Sequence, residues 1–518
     1  MRRIVLIALC LLLLSCRVGM PSAWNTTTPL AEATDLPAPT STAVTPAPAA
    51  SPTFAVPQAS ASPEPTFTLT STPTLQVIPA FRVRYHPDGG LFVGDQVSLE
   101  VISPQGMDLS GKNVQVQVDG GTGVILGPAD FMPFGLGNRA QATLTWAWDT
   151  KGEGVGDHRL TYVIQPDGLT WTETVTLLPA DQAPNPQAHW ETTLSECCVL
   201  FYITGTEGER DIGELKLQAD VQAREVVSKF GVEFTDPITV TFLPRVLGHG
   251  GFATDEISVS YLDQNYTGTD FSLVLYHEMV HILDARLGGE LRPTMLVEGL
   301  AVYVAGGHYQ KEVLLPRAAA LLELSKAGAD GYANWYIPLR ELTDDFYAAQ
   351  HEIGYLEAGA LIKYMVDKWG WEAFSKFYRN IHSQEGGSQA EAMEVSLQAH
   401  LNTTLDQLEQ AFLQALHQQS PGLEVMDNLR LTVAYYDTMR RYQQKLDDSA
   451  YFGTAWLLDN REMRQRGIVA DYLRHPTTPE NTTLENMLIY THQFLIKGDY
   501  ETTGQWLHTI NVVLDNLK

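Results

Sequence analysis

The sequence predicts a multidomain protein in which an all-β sandwich is followed by an α+β domain and a helical C-terminal region. Three observations support this order. Residues 81–178 alternate apolar and polar side chains between glycine-containing turns, as half-buried strands do. Residues 190–268 read as strand, helix, strand and strand, and the rest of the chain carries apolar residues at helical spacing. The 518 residues are enough for roughly two to four domains.

The first sixteen residues have the pattern of a bacterial secretion signal. The basic start Met1–Arg3 precedes an apolar stretch, residues 4–14, that is too short to span a bilayer as a mature helix. Residues 13–16, Leu-Leu-Ser-Cys, resemble a lipobox, so we expect Cys16 to be lipidated and to become the mature N-terminus. Two or more acyl chains suffice for stable anchoring. The segment predicts a lipid-anchored protein on the extracytoplasmic face of the cell membrane; the alternative is an ordinary secretion signal with an incidental cysteine.

Residues 17–78 are dominated by proline, threonine, serine and alanine. Such a segment buries too little apolar surface to offset the entropy of its chain, so we expect a disordered, extended stalk. The stalk would lift the folded part of the protein off the membrane. The formal net charge of -27 argues against nucleic acid as a partner.

The remaining cysteines after the signal are Cys197 and Cys198. Neighbouring residues in a strand point to opposite faces, so a bridge between these two is expected to be strained. We therefore predict a framework that does not depend on disulfides.

Residues 79–180 are predicted to form an immunoglobulin-like β-sandwich. Apolar residues alternate with polar ones in four short runs, and Asp-Gly pairs mark turns between them. Roughly seven strands in about a hundred residues suit such a sandwich. The runs are Val97-Leu99-Val101, Val114-Val116-Val118, Leu144-Trp146-Trp148 and Leu160-Tyr162-Ile164. The region could bind a substrate or the cell wall, but a spacer is the simpler interpretation, because no exposed binding constellation is visible.

Residues 190–268 show strands at 198–203, 237–243 and 257–262, and a helix at 212–230 that ends at Gly231. A buried helix follows, with Asp270 suited to cap its start and Gly288-Gly289 suited to end it.

That buried helix contains His277-Glu278-Met279-Val280-His281, an H-E-x-x-H motif. Residues four apart lie on one helix face, so the two histidines can bind one metal ion. Glu278 lies about 100° further round the helix, where a general base can reach the attacking water. The alternative is a chance match on a buried helix.

A catalytic zinc needs a third protein ligand. Glu298 is the best candidate, because it lies in a second apolar helix between Pro293 and Gly306, 17 positions after His281. A carboxylate in such a helix needs a partner to offset its burial. We therefore predict one Zn²⁺ bound by His277, His281 and Glu298.

Residues 190–420 resemble the gluzincin metallopeptidases, and in particular their peptidase MA-like branch, which have a thermolysin-like fold. The resemblance rests on the strand–helix–strand entry, the H-E-x-x-H motif, Glu298-Gly299-Leu300-Ala301, and Tyr355-Leu356-Glu357-Ala358-Gly359-Ala360. It implies an α/β upper lobe at 190–268 and a helical lobe at 269–420. It also implies that the Tyr355 hydroxyl donates a hydrogen bond to the oxyanion. In the related aminopeptidases, a tyrosine in a Tyr-x-x-Gly/Ala context has this role. The alternative is that Tyr355 is a buried aromatic residue at the start of a helix.

The chain departs from that pattern in three places. The spacing to Glu298 is about two residues shorter than in the aminopeptidases. Val297 and Val302 stand where some gluzincins have polar groups that bind the zinc histidines, so we expect backbone carbonyls or Asp284 to do this instead. No Gly-x-Met-Glu-Asn stretch is present, and Glu256 is the only acid near the predicted edge strand, which favours an endopeptidase over an aminopeptidase.

Three further histidines need an interpretation. We interpret His249 as a loop residue, and His308 and His351 as surface or packing residues rather than groups that polarise the substrate carbonyl. Residues 421–518 are predicted to form a helical C-terminal domain that acts as a scaffold or binds a protein partner. One hint of a helical-hairpin repeat, at Gly498-Asp499-Tyr500, is too little to establish a repeat.

Taken together, the sequence predicts a membrane-anchored zinc metallopeptidase whose Glu278 activates water to attack a peptide or protein substrate. A non-catalytic surface lipoprotein that keeps a peptidase fold for binding or scaffolding is the alternative. A zinc hydrolase of a non-peptide amide is a third possibility.

Overall fold

The computed structural model describes residues 81–120, 123–233, 236–328 and 335–517. The predicted signal (1–16), its Cys16 and the predicted stalk (17–78) lie outside the described residues. Among the described helices, none combines the length and the apolar character needed to cross a bilayer.

Residues 82–178 form two sheets that share one apolar core. The four-stranded sheet has the order β1-β3-β7-β6, and the five-stranded sheet has the order β2-β9-β8-β4-β5. The β2–β9 pair is parallel, and the other pairs are antiparallel. The strands are β1 (Arg82–His86), β2 (Leu91–Phe92), β3 (Gln96–Ile102), β4 (Asn113–Val118), β5 (Ile125–Asp130), β6 (Met132–Phe134), β7 (Arg139–Asp149), β8 (Gly156–Gln165) and β9 (Leu169–Leu178).

The apolar residues of the four predicted runs lie in the shared core, except for Trp146. In β3 the intervening polar residues Ser98 and Glu100 are buried as well, so this strand is not half-buried as predicted. Leu144 and Trp148 lie in the core between the two sheets, together with Leu99 and Tyr162. The register between β3 and β7 shifts at this point, and Trp146 has a φ of 46°. Because a bulge redirects a side chain, Trp146 packs outside the sandwich core, in a separate apolar cluster.

The second part of the fold is a five-stranded mixed sheet of order β10-β11-β12-β14-β13. Strands β11, β12 and β14 are parallel, and the two outer strands pair antiparallel to their neighbours. The strands are β10 (Trp190–Leu194), β11 (Cys198–Ile203), β12 (Ile238–Leu243), β13 (Gly251–Ala253) and β14 (Ile257–Ser260). The short helix α1 (Glu207–Arg210) and helix α2 (Ile212–Phe230) connect β11 to β12. Helix α2 ends at Gly231, as predicted.

The helices that follow the sheet hold the candidate site. They are α3 (Phe271–Leu287), α4 (Thr294–Ala305), α5 (Leu314–Ala327), α6 (Leu339–Asp344), α7 (His351–Trp369), α8 (Trp371–Arg379), α9 (Gln389–Leu401) and α10 (Leu405–His417). Helices α4 and α7 cross at two glycines. A Cβ on Gly299 would lie 2.6 Å from the Ala358 carbonyl oxygen, and a Cβ on Gly359 would lie 2.3 Å from Val302 Cγ1. This close approach brings the helix that carries Glu298 against the middle of α7.

The C-terminal helices share the core of the sheet and the site. They are α11 (Leu423–Leu446), α12 (Asn460–Arg466), α13 (Ala470–Leu473), α14 (Pro479–Ile496) and α15 (Tyr500–Asn516). Leu429, Tyr435 and Leu514 lie in the same apolar core as Val240 and Leu275. Residues 81–518 form one compact unit.

The β-sheets at 82–178 also pack directly against the rest of this unit. Trp146 shares an apolar cluster with Leu243 and Trp456. Beside that cluster, the fully buried guanidinium of Arg245 binds Asp88 at 2.9 Å and Asp447 at 3.1 Å. Both apolar and charged groups therefore fix the two parts to each other.

The structure has a bridge between the two neighbouring cysteines. Cys197 and Cys198 form a disulfide, with their Cα atoms 3.7 Å apart. Cys197 lies in a bend before β11 begins at Cys198, so the alternation of side chains along a strand does not apply to it.

Candidate active site

Helix α3 carries the two predicted histidine ligands through the apolar core. The Asp270 side chain accepts a hydrogen bond from Ser272 N and begins the helix, and the helix ends before Gly288. His277 is fully buried, while 10% of the His281 side chain is exposed. Their ring centroids are 4.6 Å apart, so both imidazoles occupy one face of the helix.

Helix α4 brings Glu298 to this pair. Its Oε2 lies 3.5 Å from His277 Nε2 and 3.3 Å from His281 Nε2. The three ligand atoms lie within 4.8 Å of one another. The structure therefore brings together the three residues that the sequence predicted as ligands.

The charges in this cluster depend on one another. Burial raises the pKa of the Glu298 carboxyl, but the imidazoles of His281 and His277 lower it more strongly, to about 2. Burial lowers the pKa of His281, and the Glu298 carboxylate more than offsets this, so the pKa is raised overall. Without a metal, the histidines thus compensate the buried carboxylate.

Glu278 is completely buried beside the ligands. It lies next to His277 on helix α3, and its charge contributes to the raised pKa of His281. A carboxylate at this depth needs a role or a partner to offset its desolvation.

Tyr355, the predicted oxyanion donor, lies in the second turn of α7. Its ring stacks on His308 at a centroid distance of 3.9 Å and lies 6.3 Å from the ring of His277. The structure thus places Tyr355 beside the ligand cluster, within the buried core.

His308 and His351 pack against Tyr355, and His249 packs against His351. The His351 ring is 4.3 Å from that of Tyr355 and 4.5 Å from that of His249. Burial, together with the charge of Arg440, lowers the pKa of His351 well below its ordinary value, so this imidazole is neutral. His249 lies in a turn, as predicted, but it is buried there and its Nε2 is 3.2 Å from Arg440 Nη1.

Two acids proposed for supporting roles are engaged elsewhere. The Asp284 carboxylate accepts hydrogen bonds from Arg292 at 2.7 Å and Tyr378 at 2.8 Å. The buried Glu256 carboxylate pairs with Arg464 at 2.8 Å, so it does not offer a charge to a substrate amine.

Sequence reasoning missed Tyr347. This residue lies in a short 3₁₀ turn at 346–348, and its hydroxyl donates to Glu298 Oε1 at 3.2 Å. No motif surrounds it, and only the tertiary fold brings it to the ligand helix, so the sequence carries no signal for this contact.

Comparison with known proteins adds little to this geometry. No protein-family model matches the chain, and no curated protein matches it. Among solved structures, an aminopeptidase N family protein from Idiomarina loihiensis is 11% identical in sequence, with a TM-score of 0.25. The alignment covers 67% of this chain and 78% of that chain. A similarity this weak carries no argument about activity.

Proposed function

We propose that the protein is a zinc-dependent peptidase of the gluzincin type, in the peptidase MA-like branch. The observation that carries the proposal is the convergence of His277, His281 and Glu298. Glu278 is buried on the helix that carries the two histidines. Two imidazoles and one carboxylate form the ligand set of known catalytic zinc sites, which leave a fourth position open.

Two of the three separations between the ligand atoms fit zinc. Tetrahedral bonds of about 2.0–2.2 Å place neighbouring ligand atoms about 3.3–3.6 Å apart. The Glu298 Oε2 atom lies 3.5 and 3.3 Å from the two Nε2 atoms. Both separations are longer than the roughly 2.7–2.9 Å of a charge-assisted hydrogen bond. Ligand atoms that surround one cation are separated in this way, because each of them bonds the cation and not its neighbour.

Each protein group has a distinct role in the proposed reaction. A zinc ion bound to the three ligands supplies a Lewis acid that polarises a carbonyl and acidifies water. Glu278 takes the proton of the attacking water and passes it to the leaving amine. The Tyr355 hydroxyl donates to the oxygen that becomes negative in the transition state. An endopeptidase is favoured over an aminopeptidase, because the two acids beside the edge strand, Asp255 and Glu256, are each paired with an arginine.

The proposal extends to the parts of the chain around the site. We propose that Cys16 is lipidated and anchors the protein on the extracytoplasmic face of the cell membrane, with residues 17–78 as a stalk. An immunoglobulin-like sandwich at 79–180 then precedes the peptidase domain (190–420) and the helical region (421–518). The substrate is a peptide or protein, and the C-terminal helices are a candidate surface for a protein partner.

The competing function is a non-catalytic surface scaffold. A purely structural copy would have no reason to keep Glu278, which is not a predicted ligand, together with all three ligands. The full set of ligands and base therefore favours catalysis.

The test is a peptidase assay on the purified protein with and without a metal chelator, with Glu278→Gln as the matched variant. We expect hydrolysis that chelation abolishes and that added zinc restores. Glu278→Gln should keep its zinc and lose about 10²–10⁴-fold in turnover, because the general base is gone. Turnover that survives in this variant would remove Glu278 from the mechanism, and hydrolysis of only non-peptide amides would redirect the substrate class.

A further inference from the structure

The Glu298 carboxylate has two oxygens with different surroundings. Oε2 faces the imidazoles of His277 and His281, and Oε1 accepts a hydrogen bond from the Tyr347 hydroxyl at 3.2 Å. One oxygen therefore belongs to the ligand cluster, and the other is held from a different part of the fold.

Helix α4 does not supply this second contact itself. Val297, Leu300, Ala301 and Val302, which surround Glu298 in the sequence, are apolar and buried. A carboxylate that is only 2% exposed needs hydrogen bonds to fix its orientation. Tyr347 approaches from outside the helix and meets that need.

The position of Tyr347 is defined by packing on both sides. The adjacent Phe346 is buried, and its ring lies 5.0 Å from that of Tyr355. After the 3₁₀ turn, Gln350 caps helix α7 by accepting from Ile353 N at 3.0 Å. A buried aromatic and a helix cap thus fix the turn that carries the hydroxyl.

The two tyrosines near the site differ in their contacts. Tyr355 is buried and stacks on His308. Tyr347 is partly exposed, and its hydroxyl contacts a predicted ligand directly. A hydrogen bond to a metal ligand orients that ligand, and its loss typically weakens metal binding.

We propose that Tyr347 is a positioning residue of the zinc site, which holds the outer oxygen of Glu298 so that the inner one faces both histidines. This inference rests on the proposed function, because it requires zinc at His277, His281 and Glu298. It assigns Tyr347 a role in zinc affinity that is separate from the role of Tyr355 in turnover.

The experiment measures zinc affinity by competition with a chromophoric chelator. We expect Tyr347→Phe to weaken zinc binding about 10–100-fold, which is the usual effect of removing such a partner. The matched variant Tyr355→Phe should keep the affinity of the unsubstituted protein. Circular dichroism of each variant checks that it is folded.

A double-mutant cycle separates positioning from a general effect on the fold. In a Glu298→Ala background, Tyr347→Phe should cause no further loss of zinc affinity, because the carboxylate that it contacts is absent. An equal loss in both backgrounds would overturn the inference. An unchanged zinc affinity in the single Tyr347→Phe variant would also overturn the inference. In either case, zinc binding by the unsubstituted protein would leave the proposed function standing. A protein that takes up no zinc at all would refute both.

Discussion

Tyr355 is the residue whose proposed chemistry depends most on the position of a single atom, its hydroxyl oxygen. Its ring is fixed between His308 and His351, at 3.9 and 4.3 Å. Replacing it with phenylalanine keeps this packing and removes only the hydroxyl. We expect Tyr355→Phe to lower kcat by about 10²-fold, as the loss of one oxyanion donor does, with little change in zinc content. A kcat equal to that of the unsubstituted protein would return Tyr355 to a packing role.

Glu485, away from the site, gives a pH-dependent prediction. Partial burial raises its pKa to about 7, although its hydrogen bond from Tyr442 opposes this. The folded protein holds the proton more tightly than the unfolded chain, so ionisation destabilises the fold as the pH rises from about 4.5 towards 7. Glu485→Gln should therefore raise the unfolding temperature at pH 8 and change it little at pH 4. An equal shift at both values would contradict the raised pKa.

At the scale of elements, the crossing of α4 and α7 positions Glu298. A Cβ on Gly299 would lie 2.6 Å from a backbone oxygen of α7, which has no flexible side chain to move aside. Gly299→Ala should therefore push the helices apart, destabilise the protein by about 1–3 kcal/mol and weaken zinc binding. Gly213→Ala in α2 is the control, because its Cβ would have no neighbour within 4 Å. Similar unfolding temperatures for both variants would show that the crossing tolerates a methyl group.

Elements whose pattern is local were predictable, and contacts between distant elements were not. Asp270, Gly288 and Gly231 have the cap positions expected from their residue types. The spacing of His277, His281 and Glu298 on two buried helices also predicted the cluster that the structure shows. The burial of His308 and the contact of Tyr347 depend on tertiary packing, which no periodicity encodes. The bulge that turns Trp146 out of its core likewise depends on the pairing of β3 with β7.

At the scale of the whole molecule, a charged network joins the β-sheets to the rest of the fold. Arg245 is fully buried and binds Asp88 on one side and Asp447 on the other. Removing the Asp88 carboxylate leaves the buried Arg245 guanidinium with fewer partners. Asp88→Ala should cost about 1.5–3 kcal/mol, seen as a lower midpoint of one cooperative unfolding transition.

The control for this prediction is an exposed ion pair. Arg224 and Glu196 are 2.6 Å apart, but their side chains are 59% and 78% exposed. Because such pairs contribute about 0–1 kcal/mol, Glu196→Ala should leave the midpoint nearly unchanged. Two separate transitions, with only one affected by Asp88→Ala, would show that the β-sheets unfold independently.

The most direct test of the whole account is the zinc content of the purified protein, measured by elemental analysis after removal of loosely bound metal. We predict one zinc per chain that survives this step, whereas Glu298→Ala and His281→Ala bind zinc more weakly and lose it during the step. A protein that contains no zinc, or one that keeps its zinc in both variants, would contradict the account.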